Sequence, residues 1–318
     1  MSELAPSRVL VTGAGGFVGG HLLRYLRQAG LAPAQVVAMD LKAGDVSLAC
    51  WISCDLTCRK SVRAAIADAA PDAIIHLAGI THGQDMDAYF AVNVQAGANV
   101  LSAAAAMSKR PRVLMMGSAA QYGITSGDRE LVDESRPLLA ATPYGISKCM
   151  QEQWSLAAGR STGLEVICAR PFNIMGPGQS VNLVPATFLA QLADVLAGRS
   201  AAVMTGNTST ERDFLDVRDV VAALWAMVRS DRTAGGVFNI ASGQGVMISD
   251  ILAQCVALAG RDVPVRQDPR RLKGFDVPSI IGDNRKLLSA TDWQPTISWR
   301  QSLQDMWNEF GAQHNVSR

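Results

Sequence analysis

Tyr144 and Lys148 are the residues of this chain whose types and spacing most directly suggest proton chemistry. They stand four positions apart in the segment Tyr-Gly-Ile-Ser-Lys, and on a helix this spacing places both side chains on one face. A phenol with a pKa of about 10 is a poor proton shuttle near neutrality, but a cation held close favours the phenolate and lowers that pKa. The pair therefore predicts a proton-transfer site. A surface tyrosine beside a solvated lysine is the alternative for the pair taken alone.

Ser118 is expected to complete this site. It follows the apolar segment 112–116, which predicts a buried strand. Ligands of open α/β sheets bind at the carboxyl ends of the strands, so a hydroxyl at this position can hold a substrate oxygen beside the phenol of Tyr144. Ser118, Tyr144 and Lys148 are therefore the predicted catalytic residues.

Three glycines, Gly13, Gly16 and Gly19, lie between a predicted strand at 8–12 and a predicted helix at 20–29. In this context the first glycine permits a tight turn, the second lets the backbone approach a pyrophosphate, and the third allows close helix packing. The N-terminus of the helix then supplies N–H donors to the phosphates. The pattern predicts a dinucleotide site, in which Lys148 can also bond the nicotinamide ribose. A glycine-rich turn without a ligand is the alternative.

Asp40 bears on the choice of dinucleotide. It ends the predicted strand 35–40, where an acidic side chain accepts hydrogen bonds from the adenosine ribose. A 2′-phosphate would bring negative charge against this carboxylate, so NAD(H) is favoured over NADP(H). Lys42 would offset part of the repulsion and leaves NADP(H) possible. A surface aspartate that starts a turn is the alternative interpretation.

The elements that position these residues are strands alternating with helices. Strands rich in Val and Ile without polar alternation, each followed by a helix, are typical of a parallel sheet covered on both faces. The predicted fold class is α/β, a Rossmann-type doubly wound parallel sheet with a smaller C-terminal α/β substrate lobe. Residues 1–171 form the predicted NAD(P)-binding domain, to which 217–241 returns, and 172–318 form the discontinuous substrate lobe. Within this plan, 88–107 is predicted as one long helix and 205–212 as a polar loop.

Composition limits the class of protein. Apolar residues make up 48% of the 318, which is enough for a sizeable core. The formal net charge of +1 disfavours a nucleic-acid or anionic-membrane binder, because both need a basic surface. No apolar run reaches the roughly 18 residues of a spanning helix and no signal peptide is visible, so a cytoplasmic protein is expected. The six cysteines are interpreted as reduced thiols, and no metal site is predicted.

Together these motifs resemble the extended short-chain dehydrogenase/reductases of the NAD-dependent epimerase/dehydratase family that act on nucleotide-diphosphate sugars. Further motifs of that family follow in the expected order: Asp55-Leu56, His76-Leu77-Ala78-Gly79, Asn93, Arg170-Pro171-Phe172-Asn173, and the segments 212–220 and 238–243. The C-terminal segments 268–278 and 282–287 are most similar to those of GDP-4-keto-6-deoxy-D-mannose reductases. The resemblance also implies a homodimer formed through helices.

The resemblance assigns residues to three roles. Ser118, Tyr144 and Lys148 are the catalytic triad. The implied cofactor-binding residues are Gly13, Gly16, Phe17, Val18, Gly19, Asp40, Asp55, Leu56, Leu77, Ala78, Gly79, Asn93, Tyr144 and Lys148. The implied substrate-binding residues are Ser118, Asn173, Arg212, Arg271 and Lys273. Lys273 stands where the family usually has arginine, so it keeps the charge but loses the two-pronged fork that suits phosphate.

The residues after Ser118 narrow the reaction. Sugar dehydratases of this family carry an Asp-Glu pair there, whereas this chain has Ala119 and Ala120, which cannot move a proton. Epimerase-reductases that make GDP-fucose use a cysteine at the position of Ala120, so that chemistry is disfavoured too. Reduction of a 4-keto sugar nucleotide is the preferred interpretation, with 4-epimerisation by a retained NAD as the alternative. A catalytically inactive, cofactor-sensing binding protein is the third.

Overall fold

The computed structural model describes residues 6–82, 85–123, 130–272 and 277–314. In the amino-terminal part, strands alternate with helices as the apolar runs predict. The elements are β1 (Val9–Thr12), α1 (Phe17–Gln28), β2 (Val36–Asp40), β3 (Cys50–Ser53), α2 (Arg59–Ala69), β4 (Ala73–His76), α3 (Met86–Tyr89), α4 (Ala96–Ala105), β5 (Arg112–Met116), α5 (Pro143–Thr162) and β6 (Val166–Pro171). A π-helical segment, Phe90–Gln95, joins α3 to α4, so the helix predicted over 88–107 changes its winding near its start.

The carboxyl-terminal part mixes shorter strands with helices. Its elements are β7 (Asn173–Met175), α6 (Val184–Leu196), β8 (Val203–Thr205), β9 (Glu211–Asp216), α7 (Val217–Arg229), β10 (Val237–Ile240), β11 (Gly245–Met247), α8 (Ile248–Leu258), β12 (Val265–Gln267), β13 (Ser279–Ile280), α9 (Arg285–Ala290) and α10 (Trp299–His314). The polar loop predicted over 205–212 is wrong at both ends, because β8 ends at Thr205 and β9 begins at Glu211.

Among the described residues, seven parallel strands form the large sheet, in the order β10-β6-β5-β4-β1-β2-β3. The order of the strands reverses at β1, which has β2 on one side and β4 on the other. At such a switch point the loops that follow the two strands diverge and leave a crevice at the carboxyl edge. The predicted Rossmann-type doubly wound fold is confirmed.

Both faces of this sheet are covered by helices. Successive side chains of a strand point to opposite faces. Val9 and Val11 of β1 accordingly belong to the hydrophobic cluster that includes α1 and α7, whereas Leu10 belongs to the cluster that includes α2 and α4. All three are fully buried. The sheet is therefore a rigid layer from which the loops at its carboxyl edge project.

A smaller group of strands and helices follows β6. Strand β9 is its centre, pairing in parallel with β7 and β13 and antiparallel with β11. Helices α6, α8 and α10 contribute Leu189, Ile251 and Leu303 to the core of this group. The chain also returns to the large sheet, because β10 pairs with β6 and α7 packs against α1.

Candidate active site

A cleft of about 1530 Å³ runs from the carboxyl edge of the large sheet to the smaller group of elements. It brings together most of the residues singled out from the sequence. Lining the cleft are Gly13, Gly16, Phe17, Val18, Gly19, Asp40, Asp55, Leu56, Leu77, Ala78, Gly79, Ser118, Tyr144, Lys148, Asn173, Arg212 and Arg271. Asn93 lies behind the wall of the cleft, and Lys273 lies outside the described residues.

The turn after β1 has no room for side chains at two of its glycines. Gly13 has a φ of 67°, and a Cβ there would lie 2.6 Å from the backbone nitrogen of Ala78. A Cβ on Gly19 would lie 2.3 Å from the backbone oxygen of Gly13, so α1 packs directly on the turn. No side chain caps the N-terminus of α1, and its first-turn N–H groups can therefore donate to an anion in the cleft.

The carboxylate of Asp40 is attached to this turn. Its Oδ2 accepts the N–H of Gly15 at 2.9 Å, and its Oδ1 accepts the N–H of Leu41 at 2.7 Å. Two backbone donors fix the side chain at the end of β2, where it lines the cleft. The charge that was expected to select between the two dinucleotides is therefore held in one place.

Two asparagines hold the neighbouring loops from behind. Asn93 is fully buried, accepts the N–H of Ile80 at 2.8 Å, and donates to the oxygen of Ile80 and to Oγ of Ser147 on α5. Asn99, which the sequence analysis missed, donates to the backbone oxygens of Leu56 and Thr57 at 2.9 and 3.1 Å. The signal in the sequence that could have identified Asn99 is that it is a polar residue within the apolar helix α4. Asn93 thus supports the loop that lines the cleft.

Ser118 and Tyr144 both line the cleft. Tyr144 lies in the first turn of α5, whose N-cap Thr142 accepts the N–H of Gly145 at 3.1 Å. A Cβ on Gly145 would lie 2.6 Å from the backbone oxygen of Ala120, so the absence of a side chain lets α5 approach the Ser118 turn. Sequence reasoning did not single out Gly145.

The amine of Lys148 is buried beside the same cleft. Its Nζ donates to the backbone oxygen of Met116 at 2.9 Å and to Oε1 of Gln151 at 3.0 Å. A Cβ on Gly79 would lie 3.2 Å from Nζ, which places the amine directly behind the loop after β4. An ammonium has three N–H donors, so one remains for a group in the cleft.

Burial sets the ionisation of both groups. It raises the pKa of the Tyr144 phenol, and the nearby hydroxyl of Ser118 lowers that pKa by a smaller amount. Burial also lowers the pKa of Lys148 to about 8. The lowering of the Tyr144 pKa by Lys148 stays a prediction, because Nζ is bonded here to the oxygens of Met116 and Gln151. Tyr144 therefore keeps its proton near neutral pH and is suited to donate it.

The turn that carries Ser118 is braced by residues that sequence reasoning missed. Gln121 accepts the N–H of Ser118 through Oε1 at 2.8 Å and donates through Nε2 to Glu152 at 2.9 Å. Glu152 in turn accepts two hydrogen bonds from Arg170. Ala119 and Ala120 follow Ser118 directly and supply no group that could move a proton.

Three of the predicted substrate-binding residues, Asn173, Arg212 and Arg271, line the cleft on the side of the smaller group of elements. Asn173 donates to the backbone oxygen of Asp213 at 2.9 Å. Arg212 donates to the backbone oxygens of Glu211 and Val277 at 2.8 and 2.7 Å, and it is half-buried. Arg271 is more exposed, with 44% of its side chain accessible. Two guanidinium groups on this side suit a ligand with negative charge.

The part of the chain that the structure describes contains no cluster of three or more His, Cys, Asp or Glu side chains able to hold a metal ion. It also contains no helix with the length and apolar character needed to cross a membrane.

Comparisons with known proteins agree on one family. The model of the NAD dependent epimerase/dehydratase family matches residues 9–241. The GDP-6-deoxy-D-mannose reductase of Pseudomonas aeruginosa is 30% identical over 311 residues, which cover 95% of this chain and 97% of the relative. The solved structure of RMD from Pseudomonas aeruginosa complexed with NADPH has a TM-score of 0.84 at 29% identity, covering 96% of this chain and 99% of that one. The UDP-glucose 4-epimerase of Thermus thermophilus, solved as a complex with NAD, has a TM-score of 0.82 at 25% identity, covering 95% and 98%.

Proposed function

Because the chain belongs to the NAD dependent epimerase/dehydratase family, we propose that it reduces a 4-keto nucleotide-diphosphate sugar at C4. The observation that carries this proposal is that Ser118 and Tyr144, whose raised pKa keeps it protonated, line one cleft at the carboxyl edge of the sheet. A carbonyl that becomes an alcohol needs one hydride on carbon and one proton on oxygen. Tyr144 is the acid that this cleft offers for the proton.

The cofactor is NAD(H) or NADP(H), the two forms present in similar solved structures. The cleft fits such a group, because Gly13 and Gly19 leave no side chain between the turn and the helix N-terminus. Residues of the turn would hold the pyrophosphate, Asp40 the adenosine ribose, and Lys148 the nicotinamide ribose. When bound, the reduced nicotinamide supplies the hydride.

Residues of the chain polarise the carbonyl, donate the proton and hold the substrate. The hydroxyl of Ser118 holds the keto oxygen and polarises the carbonyl, since it lines the same cleft as Tyr144. Tyr144 gives its proton to the oxygen as negative charge develops there. The ammonium of Lys148 stabilises the phenolate that remains, because opposite charges attract strongly in a site shielded from water. Asn173, Arg212, Arg271 and Lys273 would hold the nucleotide sugar, with the basic groups at its diphosphate.

The substrate we propose is GDP-4-keto-6-deoxy-mannose. The relative that is 30% identical over nearly the whole chain is a GDP-6-deoxy-D-mannose reductase. Elimination of water across C5 and C6 needs a further acid and base beside Ser118, and Ala119 and Ala120 provide neither. The sugar therefore has to enter the cleft already as the ketone.

The proposal is tested by incubating the protein with this keto sugar and either NADH or NADPH. We expect loss of absorbance of the reduced cofactor in proportion to the GDP-6-deoxyhexose formed, with product stereochemistry read by NMR. Tyr144→Phe is the control for catalysis by the cleft. The proposal fails if no reduced cofactor is consumed at any concentration of the keto sugar.

A 4-epimerase is the second candidate, because the NAD-bound UDP-glucose 4-epimerase has the same fold over 95% of this chain. The same Ser118, Tyr144 and Lys148 would then remove and return hydrogen at C4 with the cofactor retained. Tightly bound NAD in the purified protein, together with interconversion of saturated sugar nucleotides without added cofactor, would favour this reaction over the reductase.

We also propose that the protein is a homodimer joined through α5. Ile146, Met150 and Trp154 recur every four residues along this helix and are exposed to 41%, 43% and 58%. An apolar stripe of this spacing on a helix is suited to pack against a second helix, here that of another copy. Light scattering should report twice the mass of the chain, and Trp154→Glu should reduce it to that of one chain. A single-chain mass for the unaltered protein contradicts the dimer.

A further inference from the structure

Two buried polar side chains behind Lys148 have no part in the mechanism above. His76 ends β4 and is 0% exposed, and Gln151 lies one turn after Lys148 on α5 and is 2% exposed. Among the described residues, His76 Nε2 and Gln151 Nε2 are buried atoms without a hydrogen-bond partner. Such atoms are rare in folded proteins because their loss of water is not compensated.

These two unpaired nitrogens are neighbours. A Cβ built on Gly97 of α4 would lie 3.3 Å from Gln151 Nε2 and 3.5 Å from His76 Nε2. Both nitrogens therefore face the small space that the missing side chain of Gly97 leaves between α4, α5 and β4. For the two nitrogens to pair with each other, the two side chains must adjust within this space.

The hydrogen-bonding capacity of each group determines how they pair. Lys148 can only donate, so the oxygen of the Gln151 amide must face Nζ, and the amide NH₂ must face His76. Burial, with a smaller contribution from the charge of Lys148, lowers the pKa of His76 to about 3, so the imidazole is neutral. Its Nδ1 lies 2.7 Å from Oγ1 of Thr12. If Nδ1 carries the proton and donates to Thr12, Nε2 is an acceptor for the amide of Gln151.

The groups around Lys148 determine whether its charge is neutralised by a partner. Glu152 is the carboxylate nearest along α5, and it is bonded to Arg170 of β6 and to Gln121. In the described part of the chain, the titratable groups near this region include His76, which is neutral, the phenols of Tyr144 on α5 and Tyr89 on α3, and the thiol of Cys168 on β6, whose pKa burial raises. The direct partners of Nζ, the oxygens of Met116 and Gln151, carry no net charge.

We propose that Gln151 and His76 are positioning residues that give Lys148 a neutral support, so that its charge is directed to the cleft. His76 fixes the orientation of the Gln151 amide, and the amide oxygen holds the ammonium without neutralising it. A carboxylate at position 151 would hold the amine equally well but would cancel its field. The inference rests on the proposed function only for the use made of that charge, since the arrangement itself precedes any substrate.

The test measures the titration of Lys148 in the full-length protein without a sugar substrate. Carbon-13 NMR of the lysine Cε atoms, with Lys148→Met identifying the signal, should give a midpoint near pH 8 for the unaltered chain. In Gln151→Glu the midpoint should rise by about 1–3 units, because an opposite charge favours the ammonium. In Gln151→Leu it should fall below that of the unaltered chain. Gln153→Glu, the same change at an exposed position of α5, should leave it unchanged.

The role of His76 is tested by a double-variant cycle. His76→Leu frees the amide to rotate, so the Lys148 midpoint should fall toward that of Gln151→Leu, and combining the two changes should lower it no further. Equal midpoints for the unaltered chain, Gln151→Glu and Gln151→Leu would overturn the proposal, as would full additivity in the cycle. Because the signal is read without sugar, a protein that fails to reduce any keto sugar still answers this question.

A kinetic measurement links the support to catalysis. If Lys148 must be charged, activity declines as the pH rises through its midpoint, and this alkaline limb should move to higher pH in Gln151→Glu. The KM for the cofactor should change little in this variant, because the amine stays in place. If the alkaline limb of activity keeps its pH while the Lys148 midpoint measured by NMR moves, the proposed use of the charge is contradicted.

Discussion

Arg170 and Glu152 form a buried two-pronged ion pair, with Nε to Oε2 at 2.8 Å and Nη2 to Oε1 at 2.6 Å. The pair joins β6 to α5, the helix that carries Tyr144. Glu152 also accepts a hydrogen bond from Gln121, which holds the N–H of Ser118. The relative position of Ser118 and Tyr144 is therefore fixed from inside the protein by charged groups that do not line the cleft.

Replacement of Glu152 by alanine should be strongly destabilising, because it leaves the guanidinium of Arg170 buried without its carboxylate, bonded to Tyr122 and to the backbone oxygen of Glu134. We expect the free energy of unfolding in urea to fall by about 3–5 kcal/mol. Glu130→Ala is the control, since Glu130 is an exposed partner of Arg136 and its loss should cost about 0–1 kcal/mol. Equal losses in the two variants would show that burial of the Arg170 pair is unimportant.

Adjacent glycines of α1 should differ sharply in their tolerance of a methyl group. A Cβ at position 19 meets the backbone oxygen of Gly13 at 2.3 Å, whereas at position 20 the nearest atom is Nη2 of Arg24 at 3.8 Å. Gly19→Ala should lower the free energy of unfolding by about 3 kcal/mol, at the upper end for overpacking, and weaken binding of NADH. Gly20→Ala should be neutral or stabilise the helix by up to about 1 kcal/mol. Similar effects of both changes on unfolding and on NADH titrations would contradict the proposed packing.

The large sheet was predictable because its strands are uninterrupted apolar runs separated by helices. Residues such as Val9 and Ile75 are buried whichever face they point to, so local composition is enough to identify their strands. Strand β9 was not predictable in this way, since it contains Glu211, Arg212 and Asp213. The carboxylate of Asp213 is buried there because N–H groups of Ser242, Gly243 and Gly282 donate to it. Those partners are distant in sequence.

In the candidate site, too, some features could be predicted from the sequence and others could not. Motif spacing predicted that Ser118, Tyr144 and Lys148 belong together, and the cleft contains all three. Spacing could not predict the ionisation of Tyr144, which depends on how deeply the phenol is buried and where the amine of Lys148 is bonded. It also missed Gly145, because the contact that requires a glycine there is with the backbone of Ala120.

Asp40 should determine the choice between the two dinucleotides. Its carboxylate is fixed by Gly15 and Leu41, so a 2′-phosphate cannot displace it freely. Asp40→Asn removes the charge and keeps one oxygen acceptor for the two backbone donors. We expect the dissociation constant for NADPH to fall at least about fivefold relative to that for NADH, as loss of one repulsive contact implies. Asp68→Asn, an exposed change of the same charge on α2, should leave the ratio unchanged in fluorescence titrations.

Tyr144→Phe should abolish proton donation while leaving the cleft intact. Loss of a positioned acid lowers the rate by about 10²–10⁴-fold, and we expect kcat for keto-sugar reduction to fall within this range. The dissociation constant of NADH should change little. Tyr89→Phe is the matched control, because this ring lies 6.5 Å from that of Tyr144 between centroids and is not placed in the reaction. Equal rates for Tyr144→Phe and the unaltered protein would show that Tyr144 is not the proton donor.

His76 should make the protein sensitive to acid. Its pKa is lowered to about 3 in the folded chain and is near 6.5 when unfolded, so between these values the unfolded chain binds one more proton. The free energy of unfolding should therefore fall by about 1.4 kcal/mol for each pH unit below 6.5, until the pH reaches about 3. His76→Asn cannot titrate and should flatten this dependence in urea unfolding, whereas His82→Gln, in the exposed loop after β4, should leave it unaltered. A slope that is the same with and without the imidazole would show that His76 is able to charge in place, and the neutral support of Lys148 would then not persist at low pH.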